Sequence, residues 1–466
     1  MLSVFARGIL PSVYHMSNLY PITRVVKEDE ELRLSAVSRS RESLPLALLL
    51  LAFAVGMAGI QFARNGIALL RGSGSYVEMA DQYLTDGAFV SAYRPPLYPL
   101  LLVTLKTCFG AGWESAAFVV HLVLAVGSGW FIFLLTRRLS GSFPAAVCAL
   151  LLFFGHGILQ LELITRRETA LFLFLELGVF VLVTSARLNI ARAMLVGGLA
   201  GLAHLTRPNG ILLLTALLVP LAVHSGWFRQ WRRALGLGIA ALSVFLAATV
   251  PWHIRMYQLT DVWTVSSSTT SGLNMWKGNN PMTSSVIPWI DIDELEPWAR
   301  ARVGGGSLTS DKADRALAKA AGEWVKEHPI RAALLTVKKF FIFLNPMPVP
   351  WGTGQIQVLS DDRILIDDFR PRRGWMFFFL YMMFLYLGIW IARERLLAVL
   401  KTPAGVLFAG AVTPFCLLLV VIHTLSFPET RLRLPLDVVM IVLSGVGYGA
   451  LQSEYRKSLV ALARRR

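Results

Sequence analysis

Charge is scarce in this chain of 466 residues: Asp, Glu, Lys and Arg make up 16% of it, against 55% hydrophobic residues. Soluble domains carry about 25% charged residues, so a soluble fold is set aside and a multi-spanning membrane protein is expected. Cysteine is scarcer still. Cys108, Cys148 and Cys416 stand far apart, which leaves neither a disulfide framework nor metal-ligand spacing and makes them packing residues. Acidic residues are in deficit, 29 against 45 Lys and Arg, for a net charge of +16. The basic residues fall in short clusters between apolar runs, the pattern of cytoplasmic loops rather than of a nucleic-acid surface. Internal repeats and low-complexity tracts are lacking too, which counts against a transporter built from paired halves.

What is present is a series of apolar runs. A span needs about 20 such residues to cross roughly 30 Å of hydrocarbon, and candidates lie at 44–63, 115–136, 143–160, 168–186, 193–206, 208–224, 234–253, 374–392, 403–424 and 434–452. The fold class expected is therefore all-α and polytopic, with about ten transmembrane helices. The short pair flanking Arg207 and Pro208 can instead form a re-entrant or tilted hairpin. Clusters at Arg137/Arg138, Arg187/Arg192, Arg229/Arg232/Arg233, Arg393/Arg395/Lys401 and Arg464 to Arg466 place one face, and both termini, in the cytoplasm of a bacterial plasma membrane. The expected organisation is a leader at 1–43, too long and mixed in charge for a cleaved signal peptide. It is followed by a transmembrane module at 44–253, an outer segment at 254–373, closing helices at 374–452 and a basic tail at 453–466. Within the outer segment, Asp311 to His328 has the spacing of an amphipathic helix, with Ala316, Ala320 and Trp324 in register. The run 331–345 carries Lys338 and Lys339 in its middle, as an interfacial helix does.

Arg166, Arg167, Arg207, Arg431 and Arg433 fall on the outer side, against the charge rule. Cations there are costly to translocate and point to a task, although interfacial snorkelling also accommodates them. Four constellations stand out on that side. The first, GSGSYVEMADQYLTDGAFVSAYRPPLYP, holds Tyr76, Glu78, Asp81 and Arg94 ahead of Pro95 and Pro96, where two fixed φ angles set a turn or a helix start. The second, LITRRETALFLF, puts Glu168 at a helix entry, where the macrodipole favours a carboxylate. The third combines Trp276, Lys277, Asn279 and Asn280: an aromatic plate, a cation and two amides suit a sugar, and equally a tight surface turn. In the fourth, SFPETRLRLPLD, Arg431 and Arg433 would project to one side of an extended segment and clamp a phosphate.

These motifs, in order from about residue 45 to 440, resemble the bacterial members of the dolichyl-phosphate-mannose protein mannosyltransferase family. Their relatives are the aminoarabinose and galacturonic acid transferases of lipid A. The elements that carry the resemblance are YVEMADQYLTDG...RPPLYPLLL, TRRETALF, HLTRPNGILLL, PWHIRMY...GLNMWKGNNP and ETRLRLPLD. The resemblance implies a membrane glycosyltransferase of the C-type fold. Such an enzyme moves a sugar from a polyprenyl-phosphate donor to a lipid, glycan or protein acceptor on the outer side of the membrane, with inversion. A carboxylate takes the proton of the attacking hydroxyl and arginines stabilise the departing phosphate. By position, Arg431 and Arg433 match the arginines before the last span, Glu168 the glutamate of the second outer loop, and Arg94 to Pro96 the basic-Pro-Pro element. The family's first-loop aspartate, four residues before an aromatic, corresponds to Gly72 here. Its role falls to Glu78 or Asp81, or to Glu168 alone, or the activity is altered. No cofactor is implied with certainty, and a divalent metal lacks support because no outer-loop His/Asp pair has ligand spacing. The competing classes are a flippase for lipid-linked sugars and a catalytically altered envelope-assembly protein.

Overall fold

The structure is a computed structural model that describes residues 74–185, 188–224, 231–281, 310–346, 352–358, 364–371, 375–391 and 393–463, with isolated positions at 52, 55, 56, 59, 303 and 308. Two compact units divide the chain, 1–53 and 54–466, and all that follows concerns the second. The expected leader, Gly72, the tail arginines Arg464 to Arg466 and all but isolated positions of the first span lie outside the described residues.

The described residues are mainly helical, in a multi-pass bundle. Helix α1 (Gly74–Asp86) buries Tyr76, Met79 and Ala80 on one face and leaves Glu78 and Asp81 exposed. Pro96 caps α2 (Leu97–Phe109), a place where a missing N–H costs nothing. After α2 the chain reverses through Gly110, whose φ of 51° is left-handed, into α3 (Trp113–Ser140). The reversal follows from one contact. Along a continuous helix Tyr98 and His121 would stand about 35 Å apart, yet the Tyr98 hydroxyl meets His121 Nε2 at 2.8 Å. Only α3 is therefore a span, and α2 lies folded against it.

Helices α4 (Phe143–Gly155) and α5 (Gly157–Ile164) meet at a 70° bend. Then come α6 (Thr169–Val183) and α7 (Ile190–Thr206), a 3-10 turn at Pro208–Leu214, α8 (Thr215–His224) and α9 (Trp231–Thr260). Helix α7 packs on α9 at backbone distance: a Cβ on Gly197 would stand 2.0 Å from the Ala241 carbonyl, and Gly201 faces Phe245 and Ala248. This small-xxx-small crossing, common in membrane helix pairs, carries the end of α7 to a fixed place. The next segment supplies α10 (Ser271–Gly278), α11 (Asp311–Glu327), α12 (Pro329–Leu344) and a short antiparallel hairpin, β1 (Gly352–Val358) with β2 (Ile364–Pro371). The bundle closes with α13 (Trp375–Ile391), α14 (Arg393–Val399), α15 (Pro403–Leu425) and α16 (Thr430–Ala463). The stretches expected to be helical at 311–328 and 331–345 are α11 and α12. The buried stripe of α11 is Ala313, Leu317, Ala321 and Trp324 rather than Ala316, Ala320 and Trp324.

Among the described residues four helices are long and apolar enough to cross a membrane, or five if the bent α4–α5 pair is one span. Every other described segment expected to span is also helical, but shorter. At 15 and 17 residues, α6 and α7 reach about 22 and 25 Å, short of roughly 30 Å of hydrocarbon. The chain alternates direction between two ends. At one end α7, α9 and α15 finish and α1, α6 and α16 begin. At the other, Arg138 donates to the Val181 carbonyl and Thr184, Arg192 to Ser185, and Arg233 to the Leu188 carbonyl.

Candidate active site

The first end holds a buried cluster of charge. Glu168 is the residue before α6, with no side-chain cap bond to its own helix, so its carboxylate is turned to other partners. Arg207 is extended (φ −145°, ψ 139°) between α7 and Pro208, the conformation that a following proline imposes. That geometry throws its guanidinium across to Glu168. Nε and Nη2 both lie 2.9 Å from Glu168 Oε1, and Nη2 also donates to Thr169 Oγ1 at 2.7 Å. The Thr169 hydroxyl donates in turn to Glu162 at 3.0 Å, and Glu162 also accepts from Arg167 at 3.2 Å. Glu168 and Arg207 are 8% and 5% exposed, so neither charge could stay there without the other.

Three further groups complete the cluster. The Tyr76 hydroxyl acts on Glu168 and helps to favour its carboxylate form. Arg94 lies over the Tyr76 ring at 5.2 Å and over Tyr93 at 4.7 Å, and donates to Ser75 at 3.1 Å. Arg431, paired with Glu429 at 2.8 Å, acts electrostatically on Glu168. Burial alone would raise the Glu168 carboxyl, but Arg207, then Arg431 and Arg94, with the Tyr76 hydroxyl, outweigh it and hold the group at about 2. Burial first, and then the neighbouring carboxylate, push the Tyr76 phenol up. Behind Tyr76 a rigid support runs edge-on to Tyr98 at 5.2 Å, from there to His121, and from His121 Nδ1 to the Leu163 carbonyl at 3.0 Å. A carbonyl only accepts, so Nδ1 carries the proton and Nε2 receives the Tyr98 hydroxyl. Two buried donors of the cluster, Arg207 Nη1 and Arg167 Nε, have no hydrogen-bond partner among the described residues. Buried donors in native proteins are usually paired, so Arg207 Nη1 is available to an acceptor that a ligand or a water would bring.

The structure brings Tyr76, Arg94, Glu168 and Arg431 together and sends the other residues singled out from the sequence elsewhere. Glu78 and Asp81 follow Tyr76 by two and five residues, which on a helix turns them away from it. They line a separate open cleft of about 590 Å³ with Trp113, Glu114 and Arg166, where Asp81 pairs with Lys106 and Glu114 with Arg166. The Arg431/Arg433 clamp required extended backbone, but α16 already begins at Thr430. Arg433 points into the bundle instead and bonds Asp437 at 2.9 Å, which in turn meets His156 at 3.2 Å. Trp276, Asn279 and Asn280 do not face outward as a sugar platform either. Trp276 is 3% exposed. Asn279 donates to the Met275 and Leu425 carbonyls, Asn280 donates to those of Trp276 and Lys277, and the Lys277 ammonium lies 5.3 Å from the Phe427 ring centre. These polar groups close a joint between helices.

Arg207 is the principal residue that sequence reasoning passed over as a site residue. Its signal was the pair of apolar runs on either side and the proline after it, but its partner lies 39 residues away. Among the described residues no three His, Cys, Asp or Glu side chains converge to hold a metal ion.

Two solved structures align with much of the chain at low similarity. ArnT from Cupriavidus metallidurans bound to undecaprenyl phosphate aligns over 87% of this chain and 78% of its own, at 16% identity and a TM-score of 0.37. The archaeal oligosaccharyltransferase AglB from Archaeoglobus fulgidus aligns over 79% and 44%, at 14% identity and a TM-score of 0.41. No curated protein sequence matches the chain. A family model does: residues 93–254, which run from the Arg94-Pro95-Pro96 turn through Glu168 and Arg207, match that of the dolichyl-phosphate-mannose-protein mannosyltransferases, the family that the motifs resemble.

Proposed function

We propose that this protein is a polyprenyl-phosphate-sugar-dependent glycosyltransferase, and that the cluster around Glu168 and Arg207 is its active site. The observation that carries this reading is the convergence of Arg94, Arg207 and Arg431 on one buried carboxylate, with Arg207 Nη1 still free to donate. Three guanidiniums at the end of an apolar bundle suit the phosphate of a lipid-linked donor, whose chain remains in the membrane. The family match over residues 93–254 supports the same chemistry.

In the reaction, an acceptor hydroxyl attacks the anomeric carbon, the bond from that carbon to the phosphate oxygen breaks, and the hydroxyl proton passes to a carboxylate. Polyprenyl phosphate leaves with one more negative charge, which the arginines stabilise. Glu168 is the carboxylate in place for this. At about 2 it is a weak base, because the arginines favour its anion. A phosphate bound to those arginines brings negative charge beside Glu168. At about 4 Å and an effective dielectric near 20, each such charge is worth roughly 4 kcal/mol, so donor binding lifts the proton affinity of Glu168 and readies it as base. Glu78 and Asp81, on the far face of α1, are not needed as substitutes for the family aspartate.

The end of the bundle that carries Arg138, Arg192 and Arg233 is cytoplasmic in this reading. The site then opens on the outer side of a plasma membrane, both termini are cytoplasmic, and the acceptor is a lipid, glycan or protein of the envelope. The experiment is mass spectrometry of envelope glycolipids and glycoproteins from a deletion strain complemented with wild type, Glu168→Gln or Arg431→Ala. Loss of one sugar-sized mass, restored by wild type alone, is the expected result. An unchanged profile in a strain that expresses the protein would overturn the assignment.

A further inference from the structure

Helix α12 is apolar on one side. Ile330, Leu334, Val337 and Phe341 recur at helical spacing and are all more than half exposed, while Ala332, Leu335, Lys339 and Phe343 are buried. Lys339 is on the wrong side for a snorkelling lysine: it is 0% exposed. Its ammonium has three protons and three well-placed acceptors, the Gly278 and Ser426 carbonyls at 2.9 Å each and Asn279 Oδ1 at 3.1 Å.

Those acceptors belong to the ends of two helices. Gly278 closes α10, and Ser426 is the residue after α15. The last carbonyls of a helix have no partner within it and carry the negative end of the dipole, so one buried cation satisfies two helix C-termini at once. The joint is too tight for any side chain, since a Cβ on Gly278 would stand 1.7 Å from the Ser426 carbonyl oxygen. Asn279 adds a bond to the Leu425 carbonyl at 2.8 Å. On the other flank of the same loop, Arg433 donates to the Phe343 carbonyl at 3.1 Å and to that of Asn345. The short segment that carries Glu429 and Arg431 is thus held against α12 from both sides.

We propose that Lys339 is a positioning residue of the donor site: by capping α10 and α15 together it fixes the segment 426–430 and so places the Arg431 guanidinium beside Glu168. This rests on the reading of the cluster as a phosphate site. Lys339 touches no substrate in it and acts through Arg431.

The test uses the full-length protein in nanodiscs, with Lys339→Met, Lys339→Arg and Gly278→Ala beside wild type and Arg431→Ala. Hydrogen exchange over residues 425–432, which needs no substrate, should rise in Lys339→Met and Gly278→Ala and stay closer to wild type in Lys339→Arg. Kinetics with a polyprenyl-phosphate sugar should show donor KM raised about tenfold in Lys339→Met, the scale of a lost charged hydrogen bond, with partial recovery in Lys339→Arg. In the Arg431→Ala background Lys339→Met should add little, because the residue through which it acts is gone. Unchanged exchange in Lys339→Met, an unchanged donor KM, or an effect that simply adds to that of Arg431→Ala would overturn the proposal. If Lys339→Met does not fold, Gly278→Ala reads the same joint. Raised exchange in variants of a protein whose wild type neither binds nor turns over the donor would sink the glycosyltransferase reading and, with it, the role proposed for Lys339, leaving only the joint.

Discussion

Two groups of ion pairs sit on opposite faces of α1, and they differ in burial. On the Tyr76 side, Glu168 and Arg207 are almost fully enclosed. On the Glu78 side, the acidic partners are open: the Asp81 side chain is 57% exposed and that of Glu114 45%. Exposed pairs of this kind contribute about 0.2–1 kcal/mol. Leaving one member of a buried pair alone costs about 3–5 kcal/mol. Counting carboxylates therefore points to α1, with its Glu78 and Asp81, whereas enclosure points to Glu168, where removal of a single cation changes the chemistry of everything around it.

The comparison can be broken in several places. The largest effect should come from Arg207→Ala, which strands a buried carboxylate and removes a phosphate donor. Turnover of a polyprenyl-phosphate sugar should fall about 10³-fold or more, with a clear drop in melting temperature. Glu168→Gln should lower kcat by about 10²–10⁴-fold, the usual yield of a general base, without weakening donor binding, because the negative charge competing for the arginines is gone. Acid sharpens the contrast. Glu168 is depressed from 4.5 to about 2, so its contribution to stability is fully present above pH 4.5 and is lost as the pH falls through about 2. Thermal melts between pH 5 and pH 3 should show the wild type losing part of a total on the order of 3 kcal/mol, while Glu168→Gln stays flatter. The smallest effect belongs to the open cleft. Glu78→Gln and Asp81→Asn should change turnover and melting temperature little, within about threefold in rate; a loss comparable to that of Glu168→Gln would move the base to α1.

Much of the helix order was legible because apolar runs between arginine clusters carry it directly. The reversal at Gly110 was not, since it depends on a contact between Tyr98 and His121 that no local pattern encodes. Apolar length marked the run that becomes α7 as short, but did not reveal that α6 is short of a full span as well. At the site, Arg431 was readable as a charge on the unfavoured side, Glu168 as a carboxylate at a helix entry and Arg94 as the cation before a diproline turn. Arg433 looked equivalent to Arg431, but once Thr430 starts a helix the two side chains diverge, one to the cluster and one to Asp437. The Trp276 to Asn280 stretch has the chemistry of a sugar site and spends it on carbonyls, one of them, Leu425, 146 residues away. Lys339 marked α12 as interfacial, yet it lies on the helix's buried side, because its acceptors come from two other helices.

The most direct test of the account is equilibrium binding of polyprenyl phosphate to purified wild type, Glu168→Gln, Arg207→Ala and Arg431→Ala. Shared cations predict that Glu168→Gln binds as tightly as wild type or more tightly. Each arginine variant should bind about tenfold or more weakly. Equal affinity across all four proteins, or weaker binding by folded Glu168→Gln, would contradict the claim that this cluster holds the donor phosphate.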